Sequence, residues 1–155
     1  MGCGKSVVGA LVAQRSGAPF RDLDLVIEHE ARISITDIFA RRGEAAFRAM
    51  ETRLLPEVLQ PAAVVALGGG APMDESNWRL IVERSTTVFL DCGFDSIWDR
   101  IKGTANRPLL AGKSRAELEA LLEQRRPRYM EAIHRVDGDR TADVVATDIL
   151  NLWSD

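Results

Sequence analysis

The stretch that most restricts the fold is Met1-Gly2-Cys3-Gly4-Lys5-Ser6, which runs straight into an apolar, helix-compatible segment, residues 7–15. Gly4, Lys5 and Ser6 match the last three positions of the phosphate-binding pattern G-x-x-x-x-G-K-[ST], whose first glycine would lie before the first residue. Gly2 and Gly4 let backbone N–H groups turn inward around an anion. Lys5 can reach terminal phosphate oxygens as a point charge. Ser6 can place a hydroxyl on a magnesium ion. The helix that follows turns its positive end toward the same anion. A start methionine followed by a flexible glycine pair is the competing reading of these six residues.

Beyond this loop, helical and extended patterns alternate. A first helix spans residues 5–15 and is stopped by Gly17. Residues 18–22 read as a short strand ending in acid, and residues 26–32 as a helix. Ser34 caps the next helix, with Ile35, Ile38 and Phe39 at helical spacing. Gly43 breaks that pattern. Residues 44–59 form an amphipathic helix that Pro56 should kink or split. Residues 62–67 are a continuous apolar, β-branched run, as expected of a buried parallel strand. Helices at 74–83, 94–102, 116–126 and 143–153 and strands at 86–91 and 133–136 complete the series. This order predicts an α/β fold with a parallel sheet.

A length of 155 residues fits one domain with a sizeable core. A net charge of −3 with mixed signs gives no reason to expect nucleic-acid or membrane partners. Cys3 and Cys92 are too few for a disulfide framework, so a reducing, cytoplasmic setting is expected. No apolar run approaches the roughly 18 residues of a membrane span, and no signal peptide or lipidation motif is recognised.

Several residues are chemically pointed. Asp22 and Asp24, two apart, place both carboxylates on one side of an extended segment, with Leu23 and Leu25 on the other. Helix capping explains the same aspartates. Arg48 and Glu51 share a helix face, as a site pair or as a surface ion pair of little worth. Gly68-Gly69-Gly70 follow the apolar strand, where α/β sheets place ligands, and would let backbone approach a ligand closely; a plain loop is the alternative. Residues 103–114, rich in glycine and basic side chains, could form a lid carrying Arg107. Arg125-Arg126-Pro127-Arg128-Tyr129 is a basic cluster with an aromatic. His29 and His134 show neither metal-ligand nor triad spacing.

Taken together, the chain resembles the shikimate kinases along essentially its whole length. The matching stretches are Gly2-Cys3-Gly4-Lys5-Ser6, residues 22–28, Ile38-Phe39 with Gly43-Glu44, Phe47-Arg48 and Glu51, Gly68-Gly69-Gly70-Ala71, residues 107–112, and Arg125 to Tyr129. The resemblance implies a three-layer α/β/α P-loop kinase of the nucleoside-monophosphate-kinase type. It would be one domain with a helical substrate subdomain at about 23–60 and a lid at about 103–115. It implies transfer of the ATP γ-phosphoryl group to the 3-hydroxyl of shikimate, on the route to aromatic amino acids. By similarity, Arg48 and Arg125 bind the shikimate carboxylate, a task suited to arginine's bidentate fork. Asp24 and Gly68, Gly69 and Gly70 take its hydroxyls, Asp24 orients the attacking oxygen, and Glu51 holds Arg48. Gly2, Cys3, Gly4, Lys5, Ser6 and Val7 form the ATP loop, and Lys5 and Arg107 neutralise developing charge. Ser6 and Asp22 carry Mg2+, while Arg100 and Arg140 match positions near the nucleotide base. A monomer is expected.

Two departures stand out. Val7 occupies a place where the family usually has threonine, and the family's adenine-loop pattern around Arg140 is only partly present. In this fold a buried strand leads into the phosphate loop at mid-sheet. Its loss would leave two unpaired edges inside the sheet, so Met1 is expected to be internal to a chain starting about ten residues earlier. Two rival readings accompany the main one. The first is a shikimate-binding module without competent ATP handling; the second is a related small-molecule kinase such as gluconate kinase.

Overall fold

Helix α1 (Lys5–Ser16) starts directly after Gly4 and ends where Gly17 takes φ 72°, its N–H returning to the Ala13 carbonyl. A side chain disfavours that left-handed torsion, so glycine makes the stop clean. The computed structural model describes residues 2–102 and 113–152. From α1 the chain passes through β1 (Phe20–Asp22), α2 (Leu23–Ala31), α3 (Ile35–Val58) and β2 (Val64–Ala66). A short 3-10 turn (Ala71–Met73) leads into α4 (Glu75–Arg84), then β3 (Val88–Asp91), α5 (Phe94–Ile101), α6 (Arg115–Tyr129), β4 (His134–Asp137) and α7 (Ala142–Asn151).

The strands pair in parallel, β1 with β2 (Phe20 opposite Val64) and β3 with β4 (Val88 opposite His134). Parallel neighbours need long crossovers, and the helices between them supply these. β2 and β3 face each other across an apolar cavity of about 350 Å3, bordered by Val64, Ala66, Val88 and Leu90. Among the described residues, the two pairs form separate two-stranded sheets. Apolar faces gather into two cores. One joins Val8 and Val12 of α1 to Leu90, Ile97, Leu122, Val136 and Val145. The other joins Leu23 and Ile27 of α2 to Ile38, Leu54, Leu55 and Ile81.

Two local expectations need correction. Leu25 was expected on the same face as Leu23, yet Leu23 is buried and Leu25 is 60% exposed. The chain enters a helix at Leu23 with Asp22 as its cap, so Leu23 pairs with Ile27 four residues on rather than with Leu25. Pro56 does not split its helix: α3 continues to Val58, and its non-helical torsion falls at Gly43 (φ 79°, ψ 170°). Pro56 lies in the last turn, so the hydrogen bond it forfeits is close to the helix end. In the same way α6 continues through Pro127 to Tyr129.

Candidate active site

Asp22 closes β1 at the mouth of the phosphate loop. Its Oδ1 accepts the Asp24 N–H at 3.0 Å, and its Oδ2 accepts the Ser6 hydroxyl at 2.5 Å. Capping and contact with the loop thus coexist on one carboxylate, each using a different oxygen. Gly2 (φ 62°) and Gly4 (φ 77°) hold left-handed torsions. A Cβ at Gly2 would also lie 2.8 Å from a methyl of Ile101. Cys3 between them is buried, Val7 is exposed, and Lys5 borders the cavity between β2 and β3.

Just past the end of β2, Gly68-Gly69-Gly70 are crowded by side chains from three helices. A Cβ at Gly68 would sit 2.8 Å from Asp24 Oδ1 and 3.3 Å from Glu51 Oε1. One at Gly70 would sit 2.1 Å from Arg48 Nη1. The Tyr129 hydroxyl donates to the Gly69 carbonyl at 2.6 Å. Close approach, rather than backbone torsion, is the reason for glycine here, since Gly70 has an ordinary φ of −92°. The atoms that require glycine here are side chains of the protein itself, Asp24, Glu51 and Arg48.

Arg48 is held from both sides along α3. Its Nη1 donates to Glu51 Oε2 at 2.6 Å, and its Nε and Nη2 donate to Glu44 Oε1 at 3.3 and 3.1 Å. Glu51 is 1% exposed, so this is no surface pair. Among the described residues, its Oε1 has no hydrogen-bond partner. Burial pushes the Glu51 carboxyl above its ordinary range, and the Asp24 carboxylate adds to this while the Arg48 ion pair opposes it. Desolvation pulls the Arg48 guanidinium down, but its bonds to Glu51 and Glu44 leave it raised and firmly charged. A cavity of about 280 Å3 opens here, bordered by Glu44, Arg48, Glu51, Gly70, Asn77 and Arg125. Two arginines facing a small polar cavity can clamp a carboxylate, and Asp24 over Gly68 offers an acceptor for a hydroxyl.

The remaining expected residues are spread more widely. Arg100 donates from Nη1 and Nη2 to the Gly138 carbonyl at 3.3 and 3.2 Å, and lies 3.6 Å from Cys92 Sγ. Arg140, two residues beyond Gly138, pairs with Asp148 at 2.6 Å. Arg107 and the lid stretch 103–112 lie outside the described residues. Three contributors were not expected in these roles. Glu44 lies one helical turn before Arg48, so i,i+4 spacing could have flagged it. Tyr129 follows Arg125 by the same interval. Asn77, buried, donates from Nδ2 to the Ala71 carbonyl at 3.2 Å and fixes the end of the glycine turn, which nothing in the local sequence signals.

Known proteins resemble this chain along nearly its whole length. The family model described as Shikimate kinase matches residues 1–153. A shikimate kinase of Ruegeria pomeroyi is 45% identical over 134 residues, covering 85% of this chain and 69% of the relative. One of Persephonella marina is 40% identical over 140 residues, covering 90% and 85%. The solved shikimate kinase from Acinetobacter baumannii in complex with shikimate superposes with a TM-score of 0.95 at 34% identity, covering 99% of this chain and 88% of that one. The enzyme from Aquifex aeolicus gives a TM-score of 0.88 at 34% identity, covering 99% and 92%.

Proposed function

The chain belongs to the shikimate kinase family, and on that premise we propose how its own residues divide the reaction. The family sets the activity, ATP-dependent phosphorylation of shikimate in aromatic amino-acid biosynthesis, on a P-loop α/β kinase fold. It also sets aside the gluconate kinase alternative. The convergence of Asp24, Arg48 and Glu51 on the glycine triplet, beside Arg125, carries the assignment of the substrate site. Arg48 and Arg125 take the shikimate carboxylate. The hydroxyls meet Asp24 Oδ1 and the backbone of Gly68, Gly69 and Gly70. Asp24 orients the 3-hydroxyl and accepts its proton as the oxygen attacks the γ-phosphorus of ATP. Glu51 and Glu44 keep the Arg48 fork aimed, so less freedom is lost on binding.

On the nucleotide side, the backbone from Gly2 to Val7 wraps the ATP phosphates, and Lys5 neutralises charge on the moving phosphoryl group. Arg107 shares that task by resemblance to the family. Arg100 positions the turn at Gly138, and Arg140 lies beside it near the base. Ser6 Oγ, hydrogen-bonded to Asp22 Oδ2 at 2.5 Å, is a hard oxygen donor that would hold an Mg2+ ion directly, with Asp22 holding it through water. Bound there, the ion would offset the charge of the β- and γ-phosphates. The single chain contributes to both halves of the site, which supports a monomer. The two cysteines form no disulfide, which supports a reducing, cytoplasmic setting. No helix among the described residues is long and apolar enough to cross a membrane.

A coupled ADP-release assay with ATP, Mg2+ and shikimate tests the reading. Shikimate-dependent turnover is expected; ADP release indifferent to shikimate would refute it.

A further inference from the structure

Cys3 lies in the phosphate loop and Cys92 just past β3, 89 residues away, yet the Cys92 side chain reaches the loop at Cys3. Cys92 Sγ lies 4.0 Å from the Cys3 carbonyl oxygen, and the two residues belong to one buried cluster. Both are buried. The fold makes room for this approach: a Cβ at Gly138 would fall 2.4 Å from Cys92 Sγ. Arg100 Nη1 stands 3.6 Å from the same sulfur. Both cysteines border the cavity of about 350 Å3 between β2 and β3. The neighbouring Cys92 thiol lowers Cys3 against the opposing pull of burial, and the Lys5 and Arg100 cations add to the lowering. Cys3 in turn pushes Cys92 upward. Cys3, in the loop beside Lys5 and at the start of α1, serves as the nucleophile of the pair, and Cys92 as the thiol that resolves it.

We propose that Cys3 and Cys92 form an oxidation site, in which a peroxide joins them by a reversible disulfide that clamps the phosphate loop to the end of β3 and halts ATP use. The proposal rests on reading that loop as the ATP site. The chemistry balances in two steps. The Cys3 thiolate attacks one peroxide oxygen, the O–O bond breaks, and hydroxide leaves to be protonated to water, so Cys3 becomes a sulfenic acid. The Cys92 sulfur then attacks the Cys3 sulfur, the S–O bond breaks, and the departing hydroxide takes the Cys92 proton as a second water. Two thiols are oxidised and one peroxide is reduced. A covalent bond holds the sulfurs closer than non-bonded contact allows, so closing it draws Cys3, and with it the N–H groups of the loop, toward β3.

The test treats the full-length protein with hydrogen peroxide and reads intact mass, peptide map and shikimate-dependent turnover. A mass lower by two hydrogens, a cross-linked Cys3–Cys92 peptide, a roughly hundredfold loss of turnover and full recovery with a thiol reductant are expected, since misplacement by about 1 Å costs on that order. Cys92→Ala should start with unchanged turnover and form no cross-link under the same treatment, and any turnover it loses should come with added oxygen rather than lost hydrogen in the intact mass. Absence of the cross-link in the unaltered protein, or a cross-linked protein with full turnover, overturns the proposal. Lys5→Ala, kept reduced, separates this from failure of the ATP-site reading: full turnover in that variant refutes the phosphate loop itself.

Discussion

The two halves of the site are built by different means. Around Gly68-Gly69-Gly70, the proposed substrate half is assembled from side chains on α2, α3 and α6, aimed by one another: Arg48 by Glu51 and Glu44, and the Gly69 carbonyl by Tyr129. At the phosphate loop the backbone is the instrument. Two left-handed glycines turn it, and the start of α1 supplies the field, with Ser6 and Asp22 as neighbouring oxygens. The first half should respond to damage in graded fashion and chiefly in substrate affinity. The second should respond abruptly and chiefly in rate.

Lys5→Ala should show the largest effect, a fall in kcat on the order of 10²–10³ with shikimate KM little changed, because the cation acts on charge that develops in the transition state. A shikimate KM that moves as far as kcat would break the division between the halves. Arg48→Ala comes next. Charge-assisted bonds are worth about 1.5–3 kcal/mol each, so shikimate KM should rise roughly ten- to a hundredfold while ATP KM holds. Gly70→Ala should imitate it, because the new methyl would meet Arg48 Nη1 at 2.1 Å. Steady-state kinetics with each substrate varied in turn checks both, and an unchanged shikimate KM in Arg48→Ala removes that residue from the site.

Tyr129→Phe should act more mildly. It deletes a bond worth about 0.5–1.5 kcal/mol, so shikimate KM should rise by roughly two- to tenfold and ATP KM should not. Equal shifts for both substrates would show that Tyr129 serves the fold rather than the glycine turn.

The smallest effect concerns pH. Glu51 is raised above its ordinary 4.5, mainly by burial. The folded chain therefore holds this proton more tightly than the unfolded chain, and stability from this group declines as pH rises from 4.5 through the raised value. Glu51→Gln should lack the decline, so wild-type Tm should fall relative to the variant across that window. Parallel Tm curves for the two proteins would contradict the raised Glu51.

Features legible in the sequence were local ones. Gly17 stops α1, Ser34 caps α3 by accepting the Asp37 N–H, and helices alternate with strands, because each rests on residues a few positions apart. Leu25 was misplaced because the switch from a two-residue to a 3.6-residue period falls at Asp22, and propensity does not fix that boundary. The burial of Glu51 was equally hidden, since which face of α3 turns inward depends on α2 and α4 packing against it. Tyr129 reaches Gly69 across 60 positions, a contact no local pattern encodes. The proposed substrate roles of Arg48, Asp24 and Arg125 came from resemblance to a family. Their spacing alone left capping and surface pairing open.

The crowding of the glycine triplet also has a mechanical side. Asp24 and Arg48 reach it from helices of one core, while Tyr129 packs against the other. A shikimate carboxylate gripped by Arg48 of α3 and Arg125 of α6 would act as a rivet through both cores. Saturating shikimate should then make the two melt as a single unit, a gain in cooperativity on top of the mass-action rise in Tm that any bound ligand gives.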